Sequence, residues 1–153
     1  MPEELNYFLE KQKFTQWWLW IILCVFPFIS VIPFEANEVN LYYVLIGFFI
    51  PLFFYLLELR IKVNQQGLYY QFFPIHFKYH LIRFDEIERL KPLKYNPLRE
   101  YGGWGIKYGF RGKAYNVSGN LGVKLYFKNG TQILFGSQRN EELAKIISSF
   151  LTK

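Results

Sequence analysis

Cysteine occurs once in the 153 residues, at Cys24, so no disulfide can close within the chain. Cys24 lies inside an apolar run, where it reads as a small hydrophobe. Histidine occurs only at His76 and His80. On an extended strand these two would stand about 13 Å apart, too far to share a metal, and no thiolate lies near them. Ser118 and Ser137 sit in turn contexts without the G-x-S-x-G pattern of a nucleophile elbow. No G-x-x-x-x-G-K-[ST] phosphate loop is present, because Gly112-Lys113 is followed by Ala114. No catalytic constellation, metal site or cofactor motif emerges, and the reading is of a non-enzyme.

Charge is missing from two long stretches. Trp17–Phe34 is 18 residues and Leu41–Leu57 is 17 residues, both free of Asp, Glu, Lys and Arg. A charge-free interior excludes an ion or proton path there. At about 1.5 Å per residue, each run as a helix approaches the thickness of a bilayer core. The expectation is a transmembrane hairpin with spans at about 17–34 and 41–57. The connection between them holds Glu35 and Glu38 but no basic residue, whereas Lys11, Lys13, Arg60 and Lys62 flank the runs on the other side. The positive-inside rule then predicts an inner or plasma membrane protein with both termini cytoplasmic and loop 35–40 external. Residues 1–59 would form the anchor and 60–153 a cytoplasmic domain.

The whole chain carries 18 Lys and Arg against 12 Asp and Glu, a net charge of +6. Residues 60–153 hold 16 basic and 6 acidic groups (net +10), and the other 59 residues hold 2 and 6 (net −4). So basic a domain attracts anionic lipid head groups, or nucleic acid as the alternative partner.

Strand signals recur along this domain. Leu59–Asn64 and Leu68–Phe73 flank Gln65-Gln66-Gly67 as a hairpin. Ile75–Ile82 alternates, with Ile75, Phe77, Tyr79 and Leu81 on one face. Val123, Leu125 and Phe127 alternate with polar positions up to Asn129-Gly130, which predicts a two-residue turn with positive φ at both centres. Leu143, Ile146, Ile147, Phe150 and Leu151 form the stripe of an amphipathic helix, with Glu141 and Glu142 in its first turn. The count is about seven mostly antiparallel strands and one C-terminal helix packed on a bent sheet.

The stretch from Tyr101 to Asn120 contains six glycines. Trp104, Ile106, Tyr108 and Phe110 fall on alternate positions, a period of two that predicts a strand with a buried aromatic face. Arg111-Gly112-Lys113 would turn it, and Ala114-Tyr-Asn-Val would return. Asn116-Val-Ser118 matches a glycosylation sequon, discounted because the domain is expected in the cytoplasm. Lys107, Arg111, Lys113 and Tyr115 are the candidate contacts for a protein partner or the anionic leaflet.

The segments GGWGIKYGFRGKAYNVSGN, GVKLYFKNG and ILFGSQRNEEL resemble small uncharacterised bacterial membrane proteins that pair a two-helix transmembrane hairpin with a pleckstrin-homology-like (PH-like) domain. The resemblance implies an α+β chain: the hairpin, then a PH-like bent sheet of about seven strands closed by a C-terminal helix. It implies no catalytic residues. Phosphoinositide-binding PH domains use basic residues around the first hairpin loop. Here that loop is Asn64-Gln65-Gln66-Gly67, which departs from the pattern.

Overall fold

The structure, a computed structural model, describes residues 7–30, 32, 41–109 and 112–151. The chain divides into two units: Phe14–Leu57, and the N-terminal segment up to Lys13 together with everything from Glu58 on.

The first unit is a pair of helices, α1 (Trp17–Ser30) and α2 (Leu41–Leu56). Leu23 and Gly47 are buried in it. Phe14 meets Phe54 edge-on at 5.5 Å, and Trp20 meets Tyr55 at 6.4 Å. The Trp20 indole N–H donates to the Phe14 carbonyl at 2.8 Å. These helices correct the transmembrane expectation. They have 14 and 16 residues, which at about 1.5 Å per residue is some 21–24 Å, short of the roughly 30 Å of a hydrocarbon core. Among the described residues no helix is long and apolar enough to cross a membrane. An absence of charge sets what environment a segment prefers, not how far its helix runs. α1 has ended before Ile32, the residue preceding Pro33, a position biased away from helical backbone. α2 ends at Leu56, and strand begins at Glu58. The two-span inner-membrane topology, with cytoplasmic termini and an external loop, falls with the spans it rested on. Loop 35–40 itself lies outside the described residues.

The second unit is α+β, but its sheets are not the expected single bent sheet of about seven strands with PH-like form. Among the described residues nine strands form two sheets. The first sheet runs β1 (Phe8–Lys13), β2 (Glu58–Val63), β3 (Gly67–Phe73) and β4 (His80–Arg83), all antiparallel. After a 3-10 turn at Phe84–Glu86 come β5 (Ile87–Lys94), helix α3 (Pro97–Tyr101), β6 (Gly105–Gly109), β7 (Gly112–Asn116), β8 (Leu121–Phe127) and β9 (Gln132–Gly136). These strands order as β5-β8-β9-β7-β6, and β7 and β9 are parallel. Helix α4 (Asn140–Leu151) buries Leu143, Ala144 and Ile147, and packs on β5 and β8.

β1 was not expected, and it completes the first sheet. Lys13 pairs with Glu58 and Phe8 with Val63, so the helical unit is inserted in sequence where a β-hairpin turn would be. Phe8, Glu10 and Gln12 alternate inward. The Glu10 carboxylate accepts from Ser137 Oγ at 2.5 Å and from the Gln138 N–H at 3.0 Å. Gln12 Nε2 donates to the Gly136 carbonyl at 2.8 Å. The core face of β2 is Leu59, Ile61 and Val63, all fully buried. Tyr70 on β3 joins the two sheets, its ring 4.8 Å from Tyr115 on β7 and 4.9 Å from Phe135 on β9.

The turn between β8 and β9 also differs in detail. Gly130 has φ +82°, but no non-glycine residue has positive φ among the described residues. Asn129 therefore keeps a negative φ, and the turn is the longer type closed by a glycine. Asn129 Oδ1 accepts from the Thr131 N–H at 3.0 Å and the Thr131 hydroxyl at 2.6 Å, which holds it there.

Strand β6 does not bury the aromatic face predicted for it. Tyr108 is 78% exposed, while Tyr115 on the returning strand is the interior residue at 1%. Gly112 opens β7 at φ +93°, and any Cβ there would collide with the Gln132 carbonyl. At the other end Asn116 is fully buried, so the sequon asparagine is closed to modification by packing. Its Nδ2 donates to the Tyr95 hydroxyl at 2.9 Å, and its Oδ1 accepts from the Gly105 N–H at 2.9 Å.

Burial pushes the Tyr95 hydroxyl up to about 12, against a smaller lowering by its bond from Asn116. The folded value lies above the unfolded one of about 10. Its stabilising contribution is therefore complete below about pH 10 and is lost as pH rises towards 12. Urea unfolding across that window should lose roughly 2 kcal/mol beyond what a Tyr95→Phe variant loses. Identical alkaline profiles for the two proteins would refute it.

Candidate functional site

The four candidate contacts do not act as one group. Lys107 pairs with Ala114 across the β6–β7 ladder, and Tyr108 pairs with Lys113. Side chains alternate along a strand, so Lys107 and Lys113 occupy opposite faces of the second sheet. The Lys113 ammonium lies 5.0 Å from the Tyr108 ring centre and 4.7 Å from that of Tyr115. Tyr115 acts from the interior, beneath Lys113, and offers no exposed contact. Arg111 lies outside the described residues.

A larger basic and aromatic surface lies elsewhere, on the outward face of the first sheet. Register places Leu9 opposite Lys62 and Lys11 opposite Arg60. Arg60 in turn faces Gln71, and Lys62 faces Tyr69. These side chains share the face turned away from Leu59, Ile61 and Val63. The Lys62 ammonium sits between two rings, 4.9 Å from Tyr69 and 4.7 Å from Tyr79. The Arg60 guanidinium lies 5.3 Å from the Phe73 ring and donates to Glu58 Oε1 at 2.8 Å. That carboxylate is the first of the causes holding the Arg60 pKa above its ordinary value.

Beside this face the chain leaves β3 at Pro74 and does not become the strand expected over 75–82. Residues 74–79 turn instead, and strand resumes only at His80. Gln71 Nε2 clasps the turn by donating to the carbonyls of His76 at 3.1 Å and Phe77 at 3.0 Å. The turn thereby exposes the residues that a strand would have buried. Phe77 is 81% exposed, and Ile75 and Leu81 are also on the surface.

The same turn overturns the histidine spacing. The rings of His76 and His80 are 4.5 Å apart, edge to face. Tyr70 stacks on His80 at 5.2 Å, and Tyr115 lies 5.8 Å from His76. The Tyr70 and Tyr115 hydroxyls are 3.4 Å apart. Burial holds the His76 pKa below its ordinary value, and the nearby His80 and Lys113 add to this. Burial likewise raises both tyrosines. Two imidazoles can ligate a metal, but among the described residues no third His, Cys, Asp or Glu joins them. The distance argument from an extended strand could not have found this pair; the signal available was Pro74, which ends a strand.

Compared with known proteins, the chain matches no protein-family model and no curated protein.

Proposed function

We propose that this chain is a non-catalytic binding module whose first sheet docks on an anionic bilayer surface. The supporting observation is one sheet face and its adjoining turn, where exposed Leu9, Ile75, Phe77 and Leu81 are interleaved with Lys11, Lys62 and Lys78. Apolar side chains enter the interfacial zone while the ammonium groups remain with the head groups. Each Lys near the surface contributes about 1 kcal/mol, and burying a Phe contributes about 1.5–3 kcal/mol. The helical unit, whose apolar side chains are exposed along both helices, fits contact with hydrocarbon. The reading rests on the sheet face alone and needs no passage of a helix through the bilayer. A protein partner with an acidic, apolar surface is the second reading, favoured by the aromatic enrichment of the face.

The test isolates the β unit, with residues 7–13 joined to 58–151 by a short turn in place of the helices. It should float with vesicles containing anionic phospholipid at low salt and be left behind by neutral ones. Replacing Lys62 and Lys78 together with Gln should reduce partitioning at least about tenfold. Equal recovery with both vesicle types at low salt sinks the bilayer reading. Retention on nucleic acid with a steep salt slope would point to that partner instead.

A further inference from the structure

We propose that His76, His80 and Lys113 form a binding site for a phosphoryl or similar oxyanion at the edge where the two sheets meet. Three basic groups converge here from three places: the turn after β3, the start of β4, and β7. Tyr70 from β3, Tyr115 from β7 and Tyr108 from β6 are the other titratable groups packed around them. The groups acting electrostatically on His76 are His80 and Lys113, and each favours its neutral form. Lys113 has ring faces on it, at 4.7 and 5.0 Å, and no carboxylate partner among the described residues. A protonated imidazole beside Lys113 is repelled while no counter-charge is present. A bound oxyanion removes that repulsion and accepts charge-assisted hydrogen bonds from all three.

The histidine geometry fits this role better than a metal site. His76 Nδ1 is buried and has no hydrogen-bond partner. In the neutral ring the unpaired position is less costly as a lone pair than as an N–H, which leaves the proton on Nε2 as a donor. Lys113 would repel a divalent cation from the place where it would attract an anion. The turn is also held in shape before any ligand arrives, by the two Gln71 bonds and by the His76 N–H, which donates to the Phe72 carbonyl at 2.7 Å. Anion binding and imidazolium formation favour each other, so affinity rises as pH falls through the histidine range.

The site does not depend on bilayer docking, since it can take free phosphate as well as a phosphomonoester head group. The experiment follows the imidazole C–H resonances of the full chain in mild detergent during titration with inorganic phosphate, and separately with sulfate, which keeps its charge across the pH range. Saturable shifts of both histidines are expected, together with an upward move of the His76 titration midpoint. Lys113→Gln and the surface variant His80→Gln should each weaken binding about tenfold, with the amide spectrum reporting that each still folds. Vesicles of phosphatidic acid against phosphatidylglycerol at equal surface charge separate the sources. Selective response to the monoester assigns a lipid head group, and equal response with free phosphate still bound assigns the soluble anion. Shifts matched by chloride at equal ionic strength, shifts that survive Lys113→Gln, or a pair that answers zinc and ignores phosphate each overturn the site. Failure of vesicle flotation with phosphate binding intact removes only the docking reading.

Discussion

A chain that begins at Glu58 is expected not to fold. The same chain with residues 7–13 joined to Glu58 by a two-to-four-residue turn is expected to melt cooperatively. The difference lies in β1. Its six residues pair one for one with β2, from Phe8 opposite Val63 to Lys13 opposite Glu58. Without it, β2 becomes an open edge, and its ladder groups face water or another chain. Phe8 is buried, and losing such a ring costs about 3–5 kcal/mol. Ser137, fully buried, loses the Glu10 carboxylate that it donates to. The Gln138 N–H loses the same partner, and the Gly136 carbonyl loses Gln12. Orphaned buried groups cost about 1–3 kcal/mol each. Together these losses are as large as the 5–15 kcal/mol margin of an ordinary domain. The joined chain restores every one of these contacts, because Lys13 and Glu58 are already cross-strand neighbours. Circular dichroism melts of the two proteins decide it. A truncated chain that melts within a few degrees of the joined one would show that β1 is dispensable.

β1 illustrates what local sequence cannot reveal. Its inward positions are Phe8, Glu10 and Gln12, and two of the three are polar, so no alternation of apolar residues marks it. Those polar groups are satisfied more than 120 residues away, at Gly136, Ser137 and Gln138. The β8–β9 hairpin and α4 were readable because their signals are local: alternation, a glycine turn and a helical stripe. Helix α3 carries local signals of its own. Asn96 caps it by accepting from the Arg99 N–H, Pro97 occupies its first turn, and Gly102 closes it in the left-handed region at φ +70°. The histidine pair needed the third dimension. Spacing along the chain argued for separation, and a turn after Pro74 brought the rings to 4.5 Å. The same turn moved Phe77 from an expected core face to the surface. Of the candidate contacts, Lys113 gained a setting, with Tyr115 as its buried support, and Lys107 was separated to the other face.

Asn116→Ala is expected to cost about 3 kcal/mol, because one fully buried side chain holds both the Tyr95 hydroxyl and the Gly105 N–H. The amide donates to Tyr95, which packs with Tyr101, Ala114 and Leu134, and it accepts from Gly105 at the start of β6. Removing it strands the Gly105 N–H and the Tyr95 hydroxyl and leaves a polar-walled gap. Asn116 itself is fully buried. Space is equally tight behind it: a Cβ on Gly136 would stand 2.8 Å from Asn116 Cβ. Tyr95→Phe removes only one end of the bridge and should cost about 1 kcal/mol. In the double variant the orphaned hydroxyl is gone, so the combined loss should fall short of the sum by roughly 1 kcal/mol. Urea unfolding of the three variants gives that coupling. Strict additivity, or a loss under about 1 kcal/mol for Asn116→Ala, would mean that the bridge does not hold β6 to the core. The opening of β6 beside Lys113 would then have to be fixed by α3 and its glycine cap alone.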